Sequence, residues 1–239
     1  MEAFIIVPAV SILAGLIQGI TGFGSCIVIL FALPYFYTLS QSAGIATAVT
    51  IALCAAMVVK YRKTVRVREA LLPSALYLTV SSFVIHFAAG ADEELLKKIF
   101  GFFLIVLSAY YLFVKKRKSE KKLPLPVDVL FIVASAVCDG LFGIGGPLMV
   151  LYFLSRTKDK EEYLGTIHLF FLVNTVYNTG FRVYKGILTA EHFPVILLGV
   201  AGILLGFFVA GKLVDRLNAK AMSRLTYVMI GVSGVLNLV

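Results

Sequence analysis

Apolar residues gather in ten runs along the chain, separated by short polar or basic breaks. The runs cover residues 3–20, 23–38, 41–59, 69–90, 95–114, 127–142, 146–155, 162–183, 193–211 and 219–238. Most are long enough to cross a hydrocarbon core about 30 Å thick as helices, and the pattern predicts an all-α polytopic membrane protein. The run 146–155 is the informative exception. As a helix it covers only about 15 Å, so it can enter the membrane and stop but cannot cross.

Within the apolar background, "GLIQGITGFGS" (15–25) and "CDGLFGIGGPLMVLYFL" (138–154) each break the pattern with glycines. Gly19, Gly22 and Gly24 recur as Gly140, Gly143 and Gly145, at an offset of 121 positions. The same offset relates Gly44 to Gly165, Pro73 to Pro194 and Gly90 to Gly211. Glycine and proline fix backbone shape, which is why they carry a repeat of otherwise low identity. The chain therefore divides into an N-terminal repeat (1–114), a basic linker (115–126) and a C-terminal repeat (127–239). Each repeat is expected to hold a re-entrant or broken helical hairpin (3–38; 127–155) followed by three transmembrane helices (41–59, 69–90, 95–114; 162–183, 193–211, 219–238).

Charge then sets the orientation. If each hairpin re-enters and returns to the same face, the loops 60–68, 115–122, 156–160 and 212–224 share one side and hold 18 of the 22 Lys and Arg. The other side keeps Lys97, Lys98, Arg182 and Lys185. If each hairpin instead crossed once, the split would be 13 against 9, so the positive-inside rule favours re-entry. Three crossings per repeat make the repeats inverted and put both termini on the non-cytoplasmic side.

Composition narrows the class. The chain is 60% hydrophobic and 15% charged, with mean hydropathy +0.96, far from the balance of a soluble domain. The net charge of +9 sits in loops, so it does not argue for nucleic acid. Cys26, Cys54 and Cys138 lie inside apolar runs without ligand spacing and read as small buried side chains. No metal motif, phosphate loop or cofactor signature is present.

Hairpin tips entering from opposite faces are expected to meet near the midplane, where broken backbone is tolerated only around a cavity or within protein. Inverted-repeat transporters place their substrate site there. Helices starting near Gly24 and Gly146, the second with Pro147 in its first turn, would aim amide groups at the tips and favour an anion. The candidate binding residues are Gln18, Gly19, Thr21, Gly22, Gly24, Ser25, Asp139, Gly140, Gly143, Gly145 and Gly146. Asn174 and Asn178, four apart on one helical face, join them. Thr175 neighbours that face, and Thr47, Thr50 and Cys54 form a weaker stripe on 41–59.

Asp139 admits three roles: proton coupling, pairing with a cation such as Arg182, or capping the tip. Arg182 is placed near the outer end, snorkelling to the interface or guiding an anion. His168, about 20 Å from it along a helix, is placed near the cytoplasmic end. Asp139, His168 and Arg182 are the candidate coupling or gating residues.

The two glycine motifs, the central basic loop, the repeat and Pro34 resemble the TauE/SafE (TSUP) family of sulfite and organosulfonate exporters over essentially the whole chain. Pro147 stands where that family usually has a third glycine. The resemblance implies a multi-pass protein of the cell inner membrane that exports sulfite or a sulfonate such as sulfoacetate, with a small anion as substrate. An anion channel with a backbone-lined filter, and an intramembrane enzyme using Asp139 or a histidine, are the rival readings. The coupling ion and pairing with a second copy of the chain stay open.

Overall fold

The computed structural model describes residues 2–88, 92–109, 125–213 and 235. These residues form nine α-helices with no strand among them: α1 (Glu2–Thr21), α2 (Ser25–Leu30), α3 (Leu39–Lys60), α4 (Val67–Ala88), α5 (Glu93–Ala109), α6 (Leu125–Phe142), α7 (Gly146–Leu154), α8 (Lys160–Tyr184) and α9 (Phe193–Leu213). The expected span 219–238, Gly90 and most of the linker 115–126 lie outside the described residues.

Five helical stretches are long and apolar enough to cross a membrane: α1, α3, α4, α6 and residues 190–212 around α9. The chain is a multi-pass helical membrane protein. α8 has 25 residues, ample for a crossing. It is kept from the same apolar class by its polar stripe.

Both glycine motifs break the helix where expected. α1 ends at Thr21 and α2 starts at Ser25; α6 ends at Phe142 and α7 starts at Gly146. Gly22, Gly24 and Gly143 hold φ of +87°, +103° and +69°, backbone that only glycine adopts without strain. The first hairpin differs from the even arms that the apolar runs suggested. α1 has 20 residues and α2 only six. After Leu30 the chain turns, then makes a single 3-10 turn at Leu33–Tyr35 with Pro34 in its first positions, where proline's missing N–H ends regular helix.

Helix partners exchange in pairs across the offset of 121. α1 packs along α9 as α6 packs along α4; α3 lies against α9 as α8 lies against α4; and α3 and α8 pack on each other. The first pairing rests on small residues. A Cβ on Gly15 would stand 2.0 Å from the Ile203 carbonyl oxygen, and one on Gly206 2.0 Å from that of Ile12. In a lipid environment, such close backbone approach is what drives helix association. The tips follow the same exchange: Gly22 sits against Leu164 of α8, and Gly143 against Ala43 of α3, 121 positions earlier.

At one end of the bundle, charge ties the elements together. Arg156, after α7, pairs with Asp128 of α6 and lies 3.8 Å from Glu69 of α4. Arg66 reaches Glu69 at 3.9 Å and Glu162 of α8 at 3.2 Å. The Arg156 guanidinium also lies over the Tyr152 ring.

Candidate functional site

The two tips meet at one narrow cavity of about 40 Å³, room for a few waters or one compact ion. Its walls come from tip 1 (Gln18, Phe23, Gly24, Cys26, Ile27), tip 2 (Asp139 and Gly143 through Pro147), α3 (Thr50), α4 (Tyr77) and α8 (Phe171, Asn174, Thr175). Among the described residues no Lys or Arg lines it.

At tip 1 the Gln18 side chain works as a clamp. Its Oε1 accepts from the Ser25 backbone N–H at 3.0 Å, capping the start of α2. Its Nε2 faces His168 Nε2 at 3.3 Å. His168 Nδ1 lies 2.7 Å from the Leu164 carbonyl oxygen and must donate to it. The ring's Nε2 is then the acceptor for Gln18, and the histidine is neutral with its proton on Nδ1. Ser25 Oγ sits 3.1 Å from Thr50 Oγ1, whose own proton goes to the Ala46 carbonyl at 2.8 Å. Ser25 is therefore the donor in that pair. Thr21 Oγ1 fastens the turn, 2.8 Å from the carbonyls of both Ile17 and Phe23.

Tip 2 carries charge. The Asp139 carboxylate accepts from Asn178 Nδ2, and Tyr77 lines the same cavity beside it. Asn178 Oδ1 accepts from Ser81 Oγ at 3.0 Å, so Asn178 hands the carboxylate on to α4. Arg182 Nη2 donates to the carbonyls of Asp139 and Gly140 at 2.9 and 3.1 Å. There it offsets the negative end of α6, and its field reaches the Asp139 side chain. The Tyr77 hydroxyl fills the space above Gly145, 1.7 Å from where a Cβ would stand.

Of the expected binding residues, Gln18, Gly24, Asp139, Gly143, Gly145, Gly146 and Asn174 line the cavity. Thr21, Gly22, Ser25 and Asn178 stand behind the wall and hold it in shape. Gly19 and Gly140 have a different task, because each faces a neighbouring helix. A Cβ on Gly19 would be 3.0 Å from Ala210 Cβ, and one on Gly140 2.6 Å from Val84 Cβ. They are packing glycines, so backbone access to a ligand is closed to them.

Two placements change. Arg182 is 1% exposed, so it is not an interfacial residue that snorkels: the break in α6 gives its guanidinium carbonyls to bind inside the protein. His168 is fully buried and 3.3 Å from Gln18, so it belongs to the surroundings of tip 1 and does not stand apart from the site. Length along α8 gave the spacing of these residues correctly, but not their depth relative to the tips. Tyr77 went unnoticed in the sequence, because one tyrosine among 11 in an apolar chain reads as an interface anchor. Pro73 one turn earlier was its only local signal.

Long apolar helices and two broken hairpins that meet at a small cavity fit a membrane transport protein. The family model described as sulfite exporter TauE/SafE matches residues 7–236, and the chain belongs to that family, a family of membrane transporters for sulfite and related sulfur anions. No curated protein and no solved structure matches it.

Proposed function

We propose that the protein exports a small sulfur-containing anion, sulfite or an organosulfonate such as sulfoacetate, by alternating access around the cavity between the tips. The observation that carries this is the convergence of two broken hairpins on one cavity walled by Gln18, Asp139, Asn174 and the start of α7. The two repeats lie inverted in the inner membrane, and both termini are non-cytoplasmic. Rocking of one repeat against the other then opens the cavity to each face in turn. Transport is driven by the substrate gradient, by a proton or sodium gradient, or through a partner subunit. Asp139 is the candidate coupling group.

The test is flux of labelled sulfite and of sulfoacetate from protein-loaded liposomes, with wild type and Gln18→Ala. Saturable flux of one anion, depressed at least tenfold in the variant, supports the reading. Flux that rises linearly with concentration makes the protein a channel. Absence of flux with either anion removes the sulfur-anion assignment.

A further inference from the structure

We infer that the site takes its oxyanion in a singly charged form that still carries a proton, and that Asn174 is the residue that selects it. This rests on the sulfur-anion reading above and narrows it.

Asn174 lines the cavity and is 2% exposed. Its Nδ2 is committed twice, to the Phe170 carbonyl oxygen at 2.6 Å and to Ser74 Oγ at 3.1 Å. Turning the amide over would set Oδ1 against the Phe170 carbonyl, acceptor against acceptor, so the orientation is fixed. Oδ1 is left as a buried acceptor with no hydrogen-bond partner among the described residues. Such an atom favours a ligand that donates to it.

The opposite wall supplies what an anion wants. Gly145, at the start of the nine-residue α7, has no side-chain cap, and Gly145, Gly146 and Pro147 all line the cavity. Pro147 has no N–H, so the donors there are the amides of Gly145 and Gly146, which have no partner within the helix. The start of α7 thus brings donors, and Asn174 a fixed acceptor, to residues that line one cavity.

A fully deprotonated oxyanion presents only acceptors and leaves Asn174 Oδ1 unmet. Its two charges would also meet no Lys or Arg among the described residues of the wall; Arg182 lies outside the wall, its Nη2 on the carbonyls of α6 and its Nη1 buried without a hydrogen-bond partner. A hydrogen oxyanion of the type HO–XO₂⁻ meets both sides: its oxygens accept from the α7 amides and its O–H donates to Asn174. The proton then crosses the membrane on the substrate itself. The titratable and charged groups around this position are Asp139 (α6), Tyr77 (α4), Cys26 (α2), Cys54 (α3), and His168 and Arg182 (α8).

The experiment measures binding to the full chain in detergent by calorimetry, with sulfite and methanesulfonate as probes across the second ionisation of sulfurous acid. Methanesulfonate keeps one charge throughout and has no proton to give, so its binding reports any titration of the protein. The ratio of the two affinities isolates the ligand's proton. Expected is a sulfite affinity that falls about tenfold per pH unit above that ionisation relative to methanesulfonate, as the competent fraction shrinks, and at least tenfold preference for hydrogensulfite below it. In Asn174→Leu that preference closes.

A ratio independent of pH, or equal affinities for the two probes in wild type, overturns the inference while leaving the sulfur-anion assignment standing. Lack of binding by both probes at every pH overturns the assignment as well. If the leucine variant fails to fold, the wild-type ratio alone still decides.

Discussion

At the scale of single residues, the site is held by side chains that each do two things. Gln18 caps α2 through its oxygen and contacts His168 through its nitrogen. Replacing it with leucine removes the cap and is expected to destabilise the protein by about 1 kcal/mol, read as a lower melting temperature. His168→Leu is expected to be harmful in wild type but nearly silent when Gln18 is already alanine. A double-mutant cycle measures that coupling, and strict additivity would mean the contact holds nothing.

Asp139 and Arg182 form the other such pair. Asp139→Asn leaves a buried guanidinium without a nearby negative charge and is expected to lower the melting temperature. Adding Arg182→Gln should recover part of that loss in thermal unfolding. The Gln18 position was legible from sequence because a polar side chain stood beside a repeated glycine motif. The partnership with His168 was not, because 150 positions separate the two and nothing local encodes which face of α8 meets tip 1.

Between helices, the glycines sort into two groups that one motif had merged. Gly22, Gly24 and Gly143 are needed for their positive φ at the breaks. Gly15, Gly19, Gly140 and Gly206 are needed because another helix occupies the place of a side chain. The breaks were readable because glycine spacing and the ten-residue length of 146–155 are properties of the chain alone. The packing role of Gly19 and Gly140 was hidden inside the same spacing and required knowing which helix lies alongside.

The contrast is measurable on α9. Gly206→Leu should force α1 away and lower the melting temperature by several degrees or prevent folding. Gly211→Ala, with no described residue within 4 Å of the added methyl, should be neutral or slightly stabilising. Equal effects at the two positions would show that backbone approach is unimportant there.

For the whole molecule, the paired exchange of helix partners suits two inverted repeats. That proposal makes a prediction about sidedness. A reporter fused after residue 239 should be active on the non-cytoplasmic side, and one inserted in the 115–122 loop on the cytoplasmic side; a cytoplasmic C-terminus would refute the inverted arrangement. The ionic cluster of Arg66, Glu69, Asp128, Arg156 and Glu162 would then close the cytoplasmic end. The offset of 121 replaces its members by Ile187, Ala190, Val7, Tyr35 and Gln41 on the other side, so the two ends differ in charge although the backbone repeats. That asymmetry was invisible while the charges were read as a topology signal only.

The seam between α1 and α9 also bears on how the protein is made. Of the described helices α1 leaves the ribosome first, and its main partner among them is encoded by residues 193–213. At about 5–20 residues per second the wait is about ten to forty seconds. Through that interval the glycine-rich face of α1 has only lipid, or an insertion factor, to lie against. Neither half, cut within 115–124, carries the partners it needs, so each expressed alone should be degraded. Expressed together they should recover one another, and stable accumulation of the first half by itself would show that this long-range seam is not what completes the fold.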